Sequence, residues 1–223
     1  MAKIGVILSG CGVFDGSEIH EAVCILLALD QRGATVQCMA PNKSAAVINH
    51  LAKGPGAGER NVLEESARIA RGEVIDLAAV KVADYDAFIF PGGFGAAKNL
   101  CTFATEGENC SVDPHVAKLL QEAHKAGKPI GLACIAPVIA AKVFGKSVRP
   151  TVTIGHDKGT AAKIEAMGAV HAAHDVDEIA IDKKNRIITT PCYMEAQRIS
   201  EIYVGADKLV EAVLAMVAEP ASV

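Results

Sequence analysis

Cys134 is the residue whose type and position most directly suggest chemistry. It follows an apolar strand predicted over 130–133 and precedes a helix predicted over 136–143. A strand-to-helix turn raises one side chain into a cleft, and the N–H groups at a helix N-terminus favour the thiolate, the reactive form of cysteine. The position therefore suggests a nucleophile. A small buried core residue is the alternative, because free cysteine is among the most buried residue types.

A glycine-rich loop after another predicted strand could bind a developing oxyanion. The loop, Pro-Gly-Gly-Phe-Gly at 91–95, carries the backbone N–H groups of Gly92 and Gly93 with no side chain to obstruct a ligand. The N–H of Ile135, next to the cysteine, is a second expected donor. A tight turn that needs a positive φ is the alternative interpretation of these glycines.

Two carboxyl groups lie at the start of the first predicted helix. Glu18 and Glu21 are three residues apart, so they share a helix face. Apolar residues such as Ala22 and Val23 surround Glu21 in the sequence. A desolvated carboxyl group has a raised pKa and could shuttle a proton. The alternative is that both carboxylates only complement the helix dipole.

The sequence offers no evident histidine base for the thiol. Ile135 follows Cys134, so a Cys–His dyad is not formed by the neighbouring residue. His156 falls in a loop after a predicted strand, and we include it among the candidate substrate-binding residues. Five other histidines are expected away from the site, on helices, on their flanks or at the surface: His50, His115, His124, His171 and His174.

Predicted strands and helices alternate along the chain. This order is typical of an α/β fold with a doubly wound, mostly parallel sheet flanked by helices on both faces. Ligands bind beyond the carboxyl ends of the strands in such sheets. The loops expected to converge there are 9–17, 91–98, 134–137, 155–157 and 191–193. The whole chain, 1–223, is predicted to form a single domain.

Several local predictions follow from the residue types. Ser17 is the predicted N-cap of the first helix. The segment 47–51 is interpreted as helical, and the glycine-rich run 54–58 as a break before a helix over 59–71. Two strands near the carboxyl end, 178–182 and 186–190, are predicted to pair as a hairpin.

The composition argues against several classes of function. The chain has 223 residues, a net charge of −4, no tryptophan and 4% aromatic residues, so we expect no nucleic-acid partner. Its apolar stretches are shorter than the ~18 residues of a membrane helix, so no membrane partner is expected. No signal peptide is evident, and the seven cysteines form no CxxC pair. We therefore expect a soluble cytoplasmic protein with free thiols and no metal site.

Combined motifs resemble the ThiJ/PfpI superfamily, which has the class I glutamine amidotransferase-like, flavodoxin-like fold. They are Pro-Gly-Gly-Phe-Gly at 91–95, Ala-Cys-Ile-Ala-Pro at 133–137 and Gly-Ser-Glu-Ile-His-Glu at 16–21. The segments 4–12 and 95–100 resemble the ElbB-like subgroup in particular. The resemblance covers essentially the whole chain. It implies a homodimer that needs no metal or organic cofactor.

The resemblance also implies roles for individual residues. Cys134 matches the family's elbow cysteine, and Glu21 matches the helix carboxyl that hydrogen-bonds this thiol, with Glu18 one turn before it. Gly93 and Ile135 match the backbone oxyanion donors. Ile135 also occupies the position of a histidine found in the peptidase branch of the family, so the resemblance does not support a Cys-His-Glu triad for glutamine hydrolysis.

ElbB-like proteins are described as glyoxalases and are linked to isoprenoid biosynthesis. The function expected from the resemblance is a glutathione-independent, glyoxalase-type conversion of small 2-oxoaldehydes, such as methylglyoxal and glyoxal, to hydroxy acids through a cysteine hemithioacetal. The alternative is a non-catalytic redox or stress sensor that uses an oxidisable Cys134. An amidohydrolase ranks below both, because it requires a histidine base.

Overall fold

The computed structural model describes residues 1–219, so the last four residues of the predicted domain 1–223 lie outside the described part. The strands are β1 (Lys3–Ile7), β2 (Thr35–Ala40), β3 (Ser44–Asn49), β4 (Gly54–Asn61), β5 (Val74–Asp76), β6 (Ala87–Phe90), β7 (Ile130–Ala133), β8 (Thr151–Val152), β9 (Val170–His171), β10 (Ala180–Asp182) and β11 (Ile187–Thr190). The α-helices are α1 (Ile19–Gln31), α2 (Val62–Ile69), α3 (Phe94–Lys98), α4 (Phe103–Glu106), α5 (Pro114–Lys125), α6 (Pro137–Phe144), α7 (Lys158–Ala166) and α8 (Ile199–Ala218).

A seven-stranded sheet in the order β10-β11-β7-β6-β1-β2-β5 forms the centre of the fold. Its neighbouring strands pair in parallel, except that β10 runs antiparallel to β11. The predicted α/β class is therefore confirmed, and the predicted hairpin near the carboxyl end is β10–β11. Because β7, β6 and β1 lie side by side, the loops that follow them meet at one edge of the sheet.

Apolar side chains form a core on each face of this sheet. Alternate residues of a strand point to opposite faces, and in β1 the side chain of Val6 belongs to one core while that of Ile7 belongs to the other. The Val6 side is covered by α1 and α8, which pack against each other. The Ile7 side is covered by helices that include α5 and α6. This arrangement fixes where α1 begins relative to the ends of the strands.

The start of α1 differs from the sequence prediction. Glu18, rather than Ser17, is the N-cap, and its carboxylate accepts a hydrogen bond of 2.7 Å from the N–H of Glu21. Ser17 is fully buried, and its hydroxyl accepts a hydrogen bond of 2.8 Å from the N–H of Ser9. The loop before α1 folds back on the end of β1, and this tertiary contact takes the serine away from the cap.

The segment predicted as a helix at 47–51 is also different. Its residues 47–49 belong to β3 and 50–51 to the turn that follows. β3 pairs with β4 as an antiparallel hairpin, and β4 includes the predicted break at 54–58 and the first residues of the predicted helix over 59–71. The N–H of Ile48 donates to the carboxylate of Asp15 at 2.7 Å, so the hairpin is joined to the loop between β1 and α1. The hairpin pairing and its hydrogen bond to Asp15 have overridden the local helical pattern here.

Asn99 holds that same loop in place from inside the protein. Its side-chain amide donates hydrogen bonds of 2.8 Å to the carbonyl of Ser9 and of 2.8 Å to the carbonyl of Asp15. Both acceptors lie in the segment that leads into α1. One buried amide therefore connects the end of β1, the loop and the end of α3.

We expect Asn99→Ala to lower the free energy of unfolding by about 1–3 kcal/mol, because two carbonyl groups lose their donor in a buried place. Urea unfolding followed by circular dichroism measures this loss. Asn109→Ala is the matched control, since Asn109 is exposed and its variant should unfold like the wild type. Equal stability of both variants would contradict the assigned role of Asn99.

Candidate active site

Cys134 lies on a strained turn between β7 and α6. Its φ of 59° is in the left-handed region that non-glycine residues rarely adopt. The N–H of Cys134 donates to the carbonyl of Thr190 at 2.9 Å, which ties the turn to the end of the neighbouring strand β11. The side chain is 7% exposed. The turn thus presents a nearly buried thiol at the carboxyl edge of the sheet, as in a nucleophile elbow.

Glu21 lies directly behind this thiol and is fully buried. One carboxylate oxygen accepts a hydrogen bond of 2.9 Å from the N–H of Gly92, and the other accepts one of 3.1 Å from the N–H of Tyr193. The carboxylate also faces the Cys134 thiol, since its Oε2 and the sulfur would lie 2.6 Å and 2.9 Å from a Cβ placed on Gly92. The first turn of α1 therefore places a proton acceptor against the sulfur.

Gly92 and Gly93 leave the space that this contact needs. A Cβ on Gly92 would lie 2.3 Å from the Cβ of Cys134 and 2.6 Å from an oxygen of Glu21. Gly93 has a φ of 94°, and its N–H, like that of Ile135, lowers the pKa of the Cys134 thiol. Two of the three predicted oxyanion donors, Gly93 and Ile135, therefore act on Cys134, whereas the N–H of Gly92 donates to Glu21 instead. Donors in this position can stabilise a thiolate, and then an oxyanion on an atom bound to the sulfur.

The electrostatics favour a thiol paired with a carboxylate. Burial raises the pKa of Glu21 to about 7, and the nearby Glu18 adds to this rise, while hydrogen bonds from Tyr193, Cys134 and Gly92 oppose it. Burial raises the pKa of the Cys134 thiol well above its ordinary value, and the charge of Glu21 raises it further. Above pH 7 the pair therefore holds one proton, and that proton is on the sulfur.

A cavity of about 500 Å³ opens over the thiol. Cys134 and Ile135 lie in its lining, together with Gly93 and Glu18, which is 7% exposed. The rest of the lining comes from the loop before α1, α3, α4, the start of α7 and the segment after β11: Val13, Phe94, Ala97, Phe103, Ala104, Asp157, Thr160, Tyr193 and Met194. The described residues that meet at this edge thus contribute a thiol, carboxyl groups, backbone N–H donors and apolar side chains.

His156 is not brought to this cavity. Its imidazole lies 3.3 Å from a carboxylate oxygen of Glu195 and 3.6 Å from one of Asp175, at the protein surface. The turn that follows β8 points its next residue, Asp157, toward the cavity instead. We therefore correct the sequence-based inclusion of His156 in the site. The direction of a side chain in a loop depends on its backbone angles, which the residue pattern does not determine.

Tyr193 is a site residue that the sequence analysis did not single out. Its N–H holds Glu21, its side chain lines the cavity, and its hydroxyl is 2.7 Å from a ring nitrogen of His20. Asp157 and Thr160 were likewise not singled out. The sequence could have indicated Tyr193 and Asp157 by their position, because both lie in loops expected at the carboxyl edge of the sheet.

Among residues 1–219, no three histidine, cysteine or acidic side chains converge as a group that could hold a metal ion.

No family model matches the chain. It is 50% identical over 224 residues to a human protein named glutamine amidotransferase-like class 1 domain-containing protein 3, mitochondrial, and the match covers 96% of this chain and 82% of that protein. It is also 34% identical to the zebrafish ES1 protein, mitochondrial, over 97% of this chain and 87% of that protein. The chain belongs to this glutamine amidotransferase-like class 1 (ES1) family.

The predicted resemblance is confirmed: the chain shares its fold with solved structures of ThiJ/PfpI proteins and also resembles an isoprenoid biosynthesis protein in sequence. The crystal structure of an isoprenoid biosynthesis protein with an amidotransferase-like domain from Ehrlichia chaffeensis superposes with a TM-score of 0.89 at 35% identity, covering 96% of this chain and 99% of that one. Glyoxalase III from Candida albicans superposes with a TM-score of 0.62 at 14% identity, covering 96% and 97% of the two chains. At 14% identity, the match to glyoxalase III shows a shared fold and nothing more.

The names of the relatives overturn one expectation. The human, rat and zebrafish relatives are all named mitochondrial proteins, so the predicted cytoplasmic location is wrong. Composition and charge describe the folded domain, whereas a compartment is reached through targeting signals that receptors read. As for membranes, residues 1–219 contain no helix with the length and apolar character required to span one.

We expect Gly92→Ala to separate Glu21 from Cys134 and to destabilise the fold by about 1–3 kcal/mol, because the added methyl group overlaps both side chains. Thermal unfolding and the rate of Cys134 alkylation measure the two effects. Gly159→Ala is the control: Gly159 lies in α7, where an added Cβ has its nearest neighbour 3.6 Å away. Wild-type behaviour of the Gly92 variant would contradict the packing described here.

Glu21 should make the stability depend on pH. Its pKa is raised from 4.5 to about 7, so between these values the folded protein holds a proton that the unfolded chain has released. The free energy of unfolding therefore falls as pH rises from 4.5 to 7, by about 3 kcal/mol. Urea unfolding across this range should show the fall in the wild type and a flatter profile in Glu21→Gln. Parallel profiles would mean that Glu21 is not the titrating group.

Proposed function

We propose that the protein catalyses a glyoxalase-type reaction, in which a small 2-oxoaldehyde such as methylglyoxal is converted to a hydroxy acid without glutathione. The observation that carries the proposal is the close approach of the Cys134 thiol to the buried Glu21 carboxylate beneath an open cavity. This pair supplies a nucleophile together with the base that activates it.

The first step is addition of the sulfur to the aldehyde carbon. The S–C bond forms as the thiol proton passes to Glu21, and the carbonyl π electrons move onto the aldehyde oxygen. The N–H groups of Gly93 and Ile135, which point at the sulfur, lie beside the developing oxyanion. Protonation of this oxygen gives the hemithioacetal, and Glu21 is again a carboxylate.

The second step moves a proton between the two carbons. Glu21 removes the hydrogen from the carbon bonded to sulfur, which gives an enediolate, and a proton is then delivered to the former ketone carbon. The carbon on sulfur is oxidised to a thioester while its neighbour is reduced to a hydroxyl-bearing carbon. Water then cleaves the thioester, which releases the hydroxy acid and regenerates the thiol. A Glu21 pKa near 7 suits a group that both accepts and returns protons.

The alternatives have less support from the same residues. A peroxide sensor reacts through its thiolate, and burial raises the pKa of Cys134, which lowers the thiolate fraction. A glutamine hydrolase needs a histidine base, and no histidine is among the described residues that line the cavity. The glyoxalase-type reaction requires neither a standing thiolate nor a histidine.

The direct test is incubation of the purified protein with methylglyoxal, with lactate measured over time. We expect Cys134→Ser to abolish lactate formation and Glu21→Gln to lower kcat/KM by about 10²–10⁴-fold. In the wild type, kcat/KM should rise with pH around 7, because the carboxylate form of Glu21 accepts the thiol proton. Cys11→Ser is the control, since Cys11 does not line this cavity and should keep full activity.

Two outcomes would contradict the proposal. Unchanged turnover by Cys134→Ser would remove the thiol from the mechanism. Oxidation of Cys134 by dilute peroxide, together with undetectable lactate, would favour the redox sensor instead. Mass spectrometry of the Cys134 peptide distinguishes these two cases.

A further inference from the structure

The cavity over Cys134 is larger than a small 2-oxoaldehyde requires. Its volume of about 500 Å³ falls within the range of sites that enclose drug-sized ligands. Methylglyoxal has only a few non-hydrogen atoms, so it would leave much of this space to water. The cavity therefore has room for a large group attached to the reacting carbonyl.

Apolar side chains surround most of that room. Phe94 and Phe103 contribute aromatic surface from α3 and α4, and Val13 and Met194 add aliphatic surface from two loops. Phe94 is 49% exposed, whereas Phe103 is buried at 7%. A ligand that covered Phe94 would remove apolar area from water and would gain free energy by doing so.

The charged groups in the lining are acidic. Glu18 lies near the thiol, and Asp157 lies at the start of α7, where its carboxylate accepts a hydrogen bond of 2.7 Å from the N–H of Thr160. This hydrogen bond lowers the pKa of Asp157, so the side chain is ionised at neutral pH. Both carboxylates, with Glu21 behind the sulfur, would repel an anionic ligand.

Two ammonium groups lie nearby but outside the lining. The Nζ of Lys98 is 5.2 Å from the centre of the Phe94 ring and donates to the carbonyl of Phe14. The Nζ of Lys163 is 5.6 Å from the centre of the Phe103 ring. Each cation therefore faces an aromatic ring of the cavity wall, and neither lies among the described residues beside the thiol.

We infer that the site takes uncharged carbonyl compounds, 2-oxoaldehydes that carry a bulky apolar group, in preference to anionic ones. The inference rests on the proposed function for its reaction, because it assumes that Cys134 attacks the bound carbonyl. The carbonyl lies at the thiol, and the apolar group lies against Phe94, Phe103 and Met194. Ala104, exposed on α4 and part of the lining, borders this apolar region.

Alkylation of Cys134 tests the preference without any turnover. Iodoacetate, iodoacetamide and iodoacetanilide share one reactive carbon: the thiol sulfur bonds to it, iodide leaves, and the thiol proton passes to Glu21 or water. Only the attached group differs, being anionic, neutral and small, or neutral with a phenyl ring. Rates at the Cys134 peptide are measured by mass spectrometry, each divided by the rate for the same cysteine in the urea-unfolded chain.

We expect these normalised rates to rise about threefold or more from iodoacetate to iodoacetamide, and about tenfold from iodoacetamide to iodoacetanilide. Asp157→Asn should raise the iodoacetate rate selectively. Its control is Asp76→Asn, because Asp76 also caps a short helix with its carboxylate but lies outside the cavity lining. Equal rates for the three reagents, or a faster rate for iodoacetate, would overturn the inference.

A second pair of variants tests the apolar region. Ala104→Phe should fill the space and lower the iodoacetanilide rate at least fivefold relative to iodoacetamide. Thr105→Phe adds the same side chain one residue along α4, at an exposed position outside the lining, and should leave the ratio unchanged. An unchanged ratio in Ala104→Phe, with the fold intact by circular dichroism, would contradict the placement of the apolar group.

Turnover separates this inference from the proposed function. With phenylglyoxal and methylglyoxal as substrates, we expect the larger kcat/KM for phenylglyoxal. If neither aldehyde is converted while the alkylation preference holds, the proposed reaction fails and the ligand preference of the cavity stands. If methylglyoxal is converted and phenylglyoxal is not, the reaction stands and the inference fails.

Discussion

The contact between the Cys134 thiol and the buried Glu21 carboxylate is the interaction on which the site depends. It joins the turn after β7 to the first turn of α1, and it lies under the loop after β6. The Glu21 carboxylate raises the pKa of the thiol, since two negative charges cannot be held together in a buried place, whereas the thiol lowers the pKa of Glu21. The pair therefore keeps one proton and can transfer it, which is the property that acid–base chemistry at the sulfur requires.

The fold maintains this contact by directing backbone donors at both groups. The N–H groups of Gly92 and Tyr193 donate to the carboxylate, and those of Gly93 and Ile135 lower the pKa of the thiol. Each donor lies in a segment that follows a central parallel strand, so the sheet sets their separation. Such donors stabilise negative charge without moving during a reaction. The left-handed backbone of Cys134 also helps to hold the contact, because the φ of this residue sets the direction of its thiol.

Much of the fold followed from the pattern of residues. The alternation of strands and helices indicated the parallel sheet, and the loops after the strands indicated the edge where ligands bind. The errors have a shared cause. Each depends on a partner outside the segment itself. The hairpin β3–β4 is bonded to Asp15, and the buried Ser17 is bonded to the end of β1. The imidazole of His156 is drawn outward by the carboxylates of Asp175 and Glu195. Local propensity does not encode such partners.

The sequence by itself determined the fold class, the family and the identity of the thiol and its neighbouring carboxyl, since these depend on residue types and on the order of the elements. Only the tertiary structure decided how they act together. Burial of Glu21, the proton shared with Cys134, the cavity walls from Phe94 and Phe103, and the entry of Asp157 in place of His156 arise from packing. The physical reason is that desolvation and direction depend on the atoms surrounding a group, and most of these come from other parts of the chain.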